Sequence, residues 1–140
     1  MRSLKRFICL LLPFYIAACS GDMETAYVDR SVNALYNGAI DALEANEYVK
    51  AANAFEEVER QHPYSVWATK AQLMAAYANY EANKYDDAII GLDRFIQLHP
   101  GNPDTPYAYY LKALSYYEQI TDVSRDQLAT EKALKALRNV

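Results

Sequence analysis

The stretch Glu44-Ala45-Asn46-Glu47-Tyr48, followed by Ala51, Phe55, Val58 and His62-Pro63, returns 37 residues later. There it reads Glu81-Ala82-Asn83-Lys84-Tyr85, followed by Ala88, Leu92, Phe95 and His99-Pro100. An ordered set of matches at one fixed shift marks an internal repeat, one supersecondary unit used again. The same shift carries Ala76 to Ala113 and Tyr80-Glu81 to Tyr117-Glu118, so a third copy begins on schedule. The repeats run over 31–64, 65–101 and 102–140.

Within each copy the apolar period is helical. Leu35, Ala39, Ala42 and Leu43 keep one face, Ala45-Asn46-Glu47 offers a turn, and Ala51, Ala54, Phe55 and Val58 resume the period. Pro63 ends the second helix, because the residue before a proline is driven out of the helical region. The second copy starts after Ser65, an N-cap before Val66-Trp67, and the third opens on Asn102-Pro103 and Thr105-Pro106, each a cap followed by a proline. Nothing alternates as a strand would. The spacing predicts an all-α chain of helical hairpins, about two and a half repeats stacked into a solenoid.

The third copy is longer than the others. Ala113 is in register, but the alanine matching Ala88 is Ala133, so about eight residues are inserted around Ile120 to Gln127. Ser124-x-x-Gln127 reads as a capping box for the last helix. Leu134, Leu137 and Val140 then form an apolar strip where a further repeat would stack, which reads as a shortened chain or a docking face.

These helix pairs resemble the tetratricopeptide repeat. The resemblance rests on Leu35, Ala39, Ala51, Phe55 and Pro63, at spacings of 4, 12, 4 and 8, and on Ala76, Ala88, Leu92 and Pro100 in the second copy. The residue types have physical reasons: alanines sit where helices approach closely, Phe55 or Leu92 fills the gap they leave, and the proline sets the exit to the next repeat. The period of 37 exceeds the usual length of about 34.

The head of the chain reads differently. Arg2, Lys5 and Arg6 precede an apolar run from Phe7 to Ile16, interrupted by Pro13 and too short to span a bilayer, which needs about 20 residues. Residues 1–18 therefore read as a targeting segment. Ile16-Ala17-Ala18-Cys19 resembles the lipobox of bacterial lipoproteins, which implies cleavage before Cys19 and a diacylglycerol and N-acyl lipid on that cysteine. Ser20 resembles the class sent to the outer membrane of Gram-negative bacteria. Residues 19–30 are short and acidic, a flexible tether.

Composition narrows the function. Removing residues 1–18 leaves 122 of the 140, enough for one domain with a core. It takes three of the fourteen Lys/Arg and none of the eighteen Asp/Glu, leaving eleven against eighteen, a net charge of −7. So acidic a domain argues against nucleic acid as a partner. His62 and His99 occupy one repeat position beside helix-ending prolines, which points to a shared structural role and not to a metal pair. Glu56-Glu57 and Asp86-Asp87 are sequence neighbours, so on a helix they point apart and read as solvated faces. No catalytic triad, phosphate loop or other cofactor motif is present in the sequence, and the reading is non-catalytic.

What remains is a surface. By the repeat resemblance, first helices line the concave groove through Tyr36 and Ile40, then Leu73, Tyr77 and Tyr80, then Tyr110, Leu114 and Tyr117. Tyrosine gives contact area at low entropy cost and a hydroxyl for backbone groups, which suits an extended peptide. Tyr109 and Tyr116 are expected to face inward, and Glu44, Glu81 and Glu118 form a stripe that disfavours anionic partners.

Taken together, the lipobox, the tether, Phe55-Glu56-Glu57-Val58 through His62-Pro63-Tyr64-Ser65, and Leu92-Asp93-Arg94-Phe95-Ile96-Gln97-Leu98-His99-Pro100 resemble the BamD (ComL/YfiO) type of outer-membrane assembly lipoprotein. Tyr116-Tyr117-Glu118-Gln119-Ile120 extends the match, which covers the front part of the family's usual length. The resemblance implies a lipid-anchored protein on the periplasmic face of the outer membrane. Its groove would receive unfolded outer-membrane β-barrel proteins. In the family, rear repeats that are missing from these 140 residues dock to other assembly-machine subunits, including the central barrel subunit, so the resemblance implies substrate recognition without that docking. Two alternatives are a general periplasmic scaffold for cell-envelope partners and the helical domain of a murein-cleaving enzyme.

Overall fold

A computed structural model describes residues 30–120 and 126–140. The targeting segment, Cys19, Ser20, most of the tether and Ser124 lie outside the described residues. Among the described residues six helices follow in order: α1 Val32–Glu44, α2 Tyr48–Gln61, α3 Val66–Glu81, α4 Tyr85–Leu98, α5 Thr105–Glu118 and α6 Gln127–Leu137. They pair as hairpins α1–α2, α3–α4 and α5–α6, and each helix packs on its chain neighbours. The first helices also meet across repeat boundaries, α1 with α3 and α3 with α5. The described residues thus form an all-α, tetratricopeptide-like helical-hairpin solenoid whose inner face belongs to first helices.

The first two hairpins close by the same turn. Asn46 and Asn83 both have φ 59°. In the first hairpin the Glu47 amide donates to the Ala42 carbonyl at 2.9 Å and the Asn46 amide to Leu43 at 3.0 Å. In the second, Lys84 donates to Asn79 at 2.9 Å and Asn83 to Tyr80 at 2.9 Å. This is the Schellman pattern with asparagine, the side-chain-bearing residue best suited to left-handed backbone, in the place glycine usually takes. Each asparagine also accepts from the tyrosine two residues on, Tyr48 at 2.6 Å and Tyr85 at 2.7 Å. That explains the recurrence of Asn-x-Tyr in the repeat.

Helix starts follow local chemistry. Ser31 caps α1 and Ser65 caps α3, its hydroxyl accepting from the Trp67 amide at 2.9 Å. At α5 the expected cap shifts by one residue: Asp104 is the N-cap, and Thr105 is the first helical residue. The Thr105 hydroxyl instead donates to the His99 carbonyl at 2.8 Å, while Asn102 accepts from the Asp104 amide at 2.8 Å. The α6 N-cap is Asp126, with no side-chain capping bond.

Two core clusters fill the solenoid. The first joins Leu35, Ala39, Ala51, Phe55 and Val58 to Ala71 and Ala75; the second joins Leu73, Ala76, Leu92 and Phe95 to Ala108 and Leu111. Phe55 and Leu92 are both 0% exposed, as the alanine-and-filler logic requires. Burying a side chain of that size contributes about 2–3 kcal/mol. At Gly91 an added Cβ would come within 3.3 Å of Ala76 Cβ, so glycine is what lets α4 lie closely on α3. The histidines share one role: His62 and His99 end α2 and α4 with φ −133° and −130°. His62 ties to the Arg30 carbonyl just ahead of α1 at 2.8 Å, and His99 to the Gln72 side chain on α3 at 3.0 Å.

Candidate functional site: the concave tyrosine face

The 37-residue shift aligns the inner faces of α1, α3 and α5 in rows. Tyr36, Leu73 and Tyr110 are equivalent, as are Ile40, Tyr77 and Leu114, and Leu43, Tyr80 and Tyr117. Exposure along these rows is greatest on α5, at Tyr110 and Tyr117. Tyr36 is half-buried against Phe55 at 5.5 Å and Trp67 at 4.7 Å between ring centroids, and Ile40 packs on the same cluster. Leu73, expected to line the groove, is 8% exposed and is a core residue. The reason is position: α3 is flanked by α2, α4, α1 and α5, so even Gln72 and Asn79 are buried on it. Tyr110 and Tyr117 are 43% and 63% exposed.

The structure therefore presents Tyr110 and Tyr117 in the open, leaves Tyr36, Ile40, Tyr77, Tyr80 and Leu114 half-buried, and withdraws Leu73 into the core. It adds Tyr107, which the sequence reading passed over. Tyr107 is 44% exposed, and its ring lies 6.4 Å from that of Tyr110. Its place three residues before Tyr110 on one helix was the available signal. Tyr109 and Tyr116 are half-buried on the other side of α5.

The hydroxyls of Tyr36, Tyr77, Tyr80 and Tyr107 are held protonated. Burial raises Tyr77 above its ordinary value, reinforced by a hydrogen bond to Glu81 and by that carboxylate's charge. Burial also raises Tyr80, with Glu118 and then Tyr85 adding to it, and raises Tyr107, with Glu81 adding to it. Tyr36 is raised by burial alone. Tyr77 spends its one proton on Glu81, so Tyr80 and Tyr107 are the phenols left to donate to backbone carbonyls, and neutral phenols are poor proton acceptors, so the arrangement suits recognition and not proton transfer.

Toward the third hairpin the face deepens into a cavity of about 730 Å³ lined by Tyr110, Leu114, Tyr117, Ile120, Leu134 and Leu137. Its walls are mainly apolar. Among the described residues no group of three His, Cys, Asp or Glu could hold a metal ion, and no helix is long and apolar enough to cross a membrane. Of the acidic pairs expected to be solvated, Glu57 is instead held by Arg60 and Gln61, and Arg60 keeps its carboxyl below the usual range.

The fold defines a tetratricopeptide-type repeat protein. Comparison with known proteins is more specific: the family model described as outer membrane lipoprotein, YfiO, matches residues 28–140. The chain is 48% identical over 134 residues to the outer membrane protein assembly factor BamD of Caulobacter vibrioides, covering 94% of this chain and 44% of that one. It is 40% identical over 121 residues to BamD of Rickettsia prowazekii, covering 86% and 48%, and 38% identical over 91 residues to BamD of Neisseria meningitidis serogroup B, covering 65% and 34%. The chain belongs to the YfiO family of outer membrane lipoproteins and is of the BamD type. It spans less than half the length of these relatives.

Proposed function

We propose that the chain is a non-catalytic, lipid-anchored component of outer-membrane protein assembly, fixed through lipid on Cys19 to the periplasmic face of the outer membrane. Its concave face receives extended terminal segments of unfolded β-barrel proteins. The observation that carries this reading is the row of half-buried Tyr77 and Tyr80 beside exposed Tyr107 and Tyr110, with protonated hydroxyls on Tyr77, Tyr80 and Tyr107. An extended segment exposes backbone carbonyls and alternating side chains, and rigid phenols offer both a donor and a ring to meet them. The relatives' name, outer membrane protein assembly factor, supports the same assignment.

The test is a fluorescence titration of a labelled peptide carrying the last strand of an outer-membrane barrel. Tyr77→Ala with Tyr80→Ala should weaken binding about tenfold, roughly 1.4 kcal/mol, with the helical circular-dichroism spectrum retained. Unchanged affinity would remove the groove from the account, and binding of other envelope proteins with no binding of barrel peptides would favour the general scaffold. For the anchor, Cys19→Ala should release the protein from membranes, and retention would argue against lipid.

A further inference from the structure

The outer side of the solenoid carries two grooves built on the same plan, one with balanced charge and one with an excess of lysine. The first, about 800 Å³, lies between α2, α3 and α4; the second, about 460 Å³, lies between α4, α5 and α6. The repeat shift, extended by the insertion before α6, maps one onto the other. Ala75 becomes Lys112, Asn79 becomes Tyr116, Gln72 becomes Tyr109, Asp87 becomes Lys132 and Ile90 becomes Lys135.

The first groove is closed on itself. Glu59 accepts from Arg94 at 2.6 Å and from Gln72 at 2.5 Å, and Gln72 in turn meets His99. In the second groove the Glu59 position is Ile96 and the Arg94 position is Asn139, so this clamp cannot form. Lys112 and Lys132 instead stand 5.9 and 5.5 Å from the Tyr116 ring centroid. Lys112 already binds one carboxylate, that of Asp93. Lys132 and Lys135 are exposed and have no carboxylate partner among the described residues, and the Tyr109 and Tyr116 hydroxyls make no hydrogen bond among them.

We propose that this second outer groove is a docking site for a short acidic peptide segment of a partner protein. Carboxylates meet Lys132 and Lys135, the two phenols donate to backbone or side-chain oxygens, and Tyr116, Ile96 and Ala136 take the aliphatic stems. Charge complementarity selects this occupant. The site is a local cationic patch on a chain of net charge −4, so the field around it repels an extended polyanion or an anionic membrane while a short acidic segment fits inside it. It lies on the opposite side from the tyrosine face and stands independently of that proposal.

The experiment is fluorescence anisotropy of the full chain in detergent with short labelled oligoglutamate and oligoglutamine peptides, and co-sedimentation of the Cys19→Ala chain, which lacks the lipid attachment point, with phosphatidylglycerol vesicles. The oligoglutamate should bind, the oligoglutamine should not, and binding should weaken as salt rises. Lys132→Glu with Lys135→Glu should weaken it at least about tenfold, whereas Lys50→Glu, on a different face, should leave it unchanged. Lys132→Gln with Lys135→Gln serves the same purpose should the reversal disturb folding. Equal loss from Lys50→Glu would reduce the effect to net charge and overturn the proposal. Vesicle binding without peptide binding would overturn it in favour of a lipid surface.

Discussion

Where the second repeat docks on the first, Arg94, Glu59, Gln72 and His99 form one connected set of hydrogen bonds across three helices. Where the third docks on the second, the matching positions hold Ile96, Tyr109 and Asn139, and the helices are joined by peripheral bonds, Lys112 to Asp93 and Gln119 to Asp86. The same contrast runs through the cores, since the front hairpins bury Phe55, Leu92 and Phe95 whereas α6 buries only Ala133 and Ala136. A repeat architecture adds its stability from units and neighbour interfaces, so these differences make the front a stiff platform and the third hairpin its adaptable edge.

The contrast can be broken most forcefully in the core. Phe55→Ala should cost about 3–5 kcal/mol in urea unfolding, whereas Leu134→Ala, at a residue 50% exposed, should cost under about 1 kcal/mol. Comparable losses would mean that the third hairpin is as tightly built as the first. Next comes the clamp. Glu59→Ala strands both Arg94 and Gln72 and should cost about 1–2 kcal/mol, against no more than about 0.5 kcal/mol for Gln119→Ala, which breaks one exposed bond.

The turns give a smaller and more selective effect. Asn83→Ala should cost about 1 kcal/mol because alanine resists a φ of 59°, while Asn83→Gly should be close to neutral. Equal effects would show that the Tyr85 hydrogen bond, which both variants lose, matters more than backbone handedness. Least in size is the alkaline response. Burial and Glu81 raise Tyr77 above its ordinary 10.0, so the folded state holds that proton more tightly than the unfolded chain. The associated stability is full below a pH of about 10 and is lost as pH rises through the folded-state value. Tyr77→Phe should flatten that decline in an alkaline melting series.

Much of this was readable from residues alone. The 37-residue shift located the hairpins, Ser65 announced its cap, and the paired histidines declared a common role. The handedness of the turns was not read, because Ala-Asn-Glu signals a turn without stating φ. The exposure of the tyrosine face could not be read either, since equivalent positions have different neighbours. Leu73 and Tyr110 share a register, yet α3 is packed on by four helices and α5 presents its ring to solvent. The Arg94–Glu59–Gln72 clamp was invisible for the same reason: its members are far apart in sequence and are not repeated.

The central claim is that the inner tyrosine face, and not the outer helices, receives extended barrel segments. A photo-reactive residue placed in turn at Tyr77, Tyr80 and Tyr110, and at Glu56 and Ile90 on the outer face, tests it directly against a barrel's terminal peptide. The account predicts cross-links at the three inner positions and little at the outer two, and cross-links confined to Glu56 and Ile90 would contradict it.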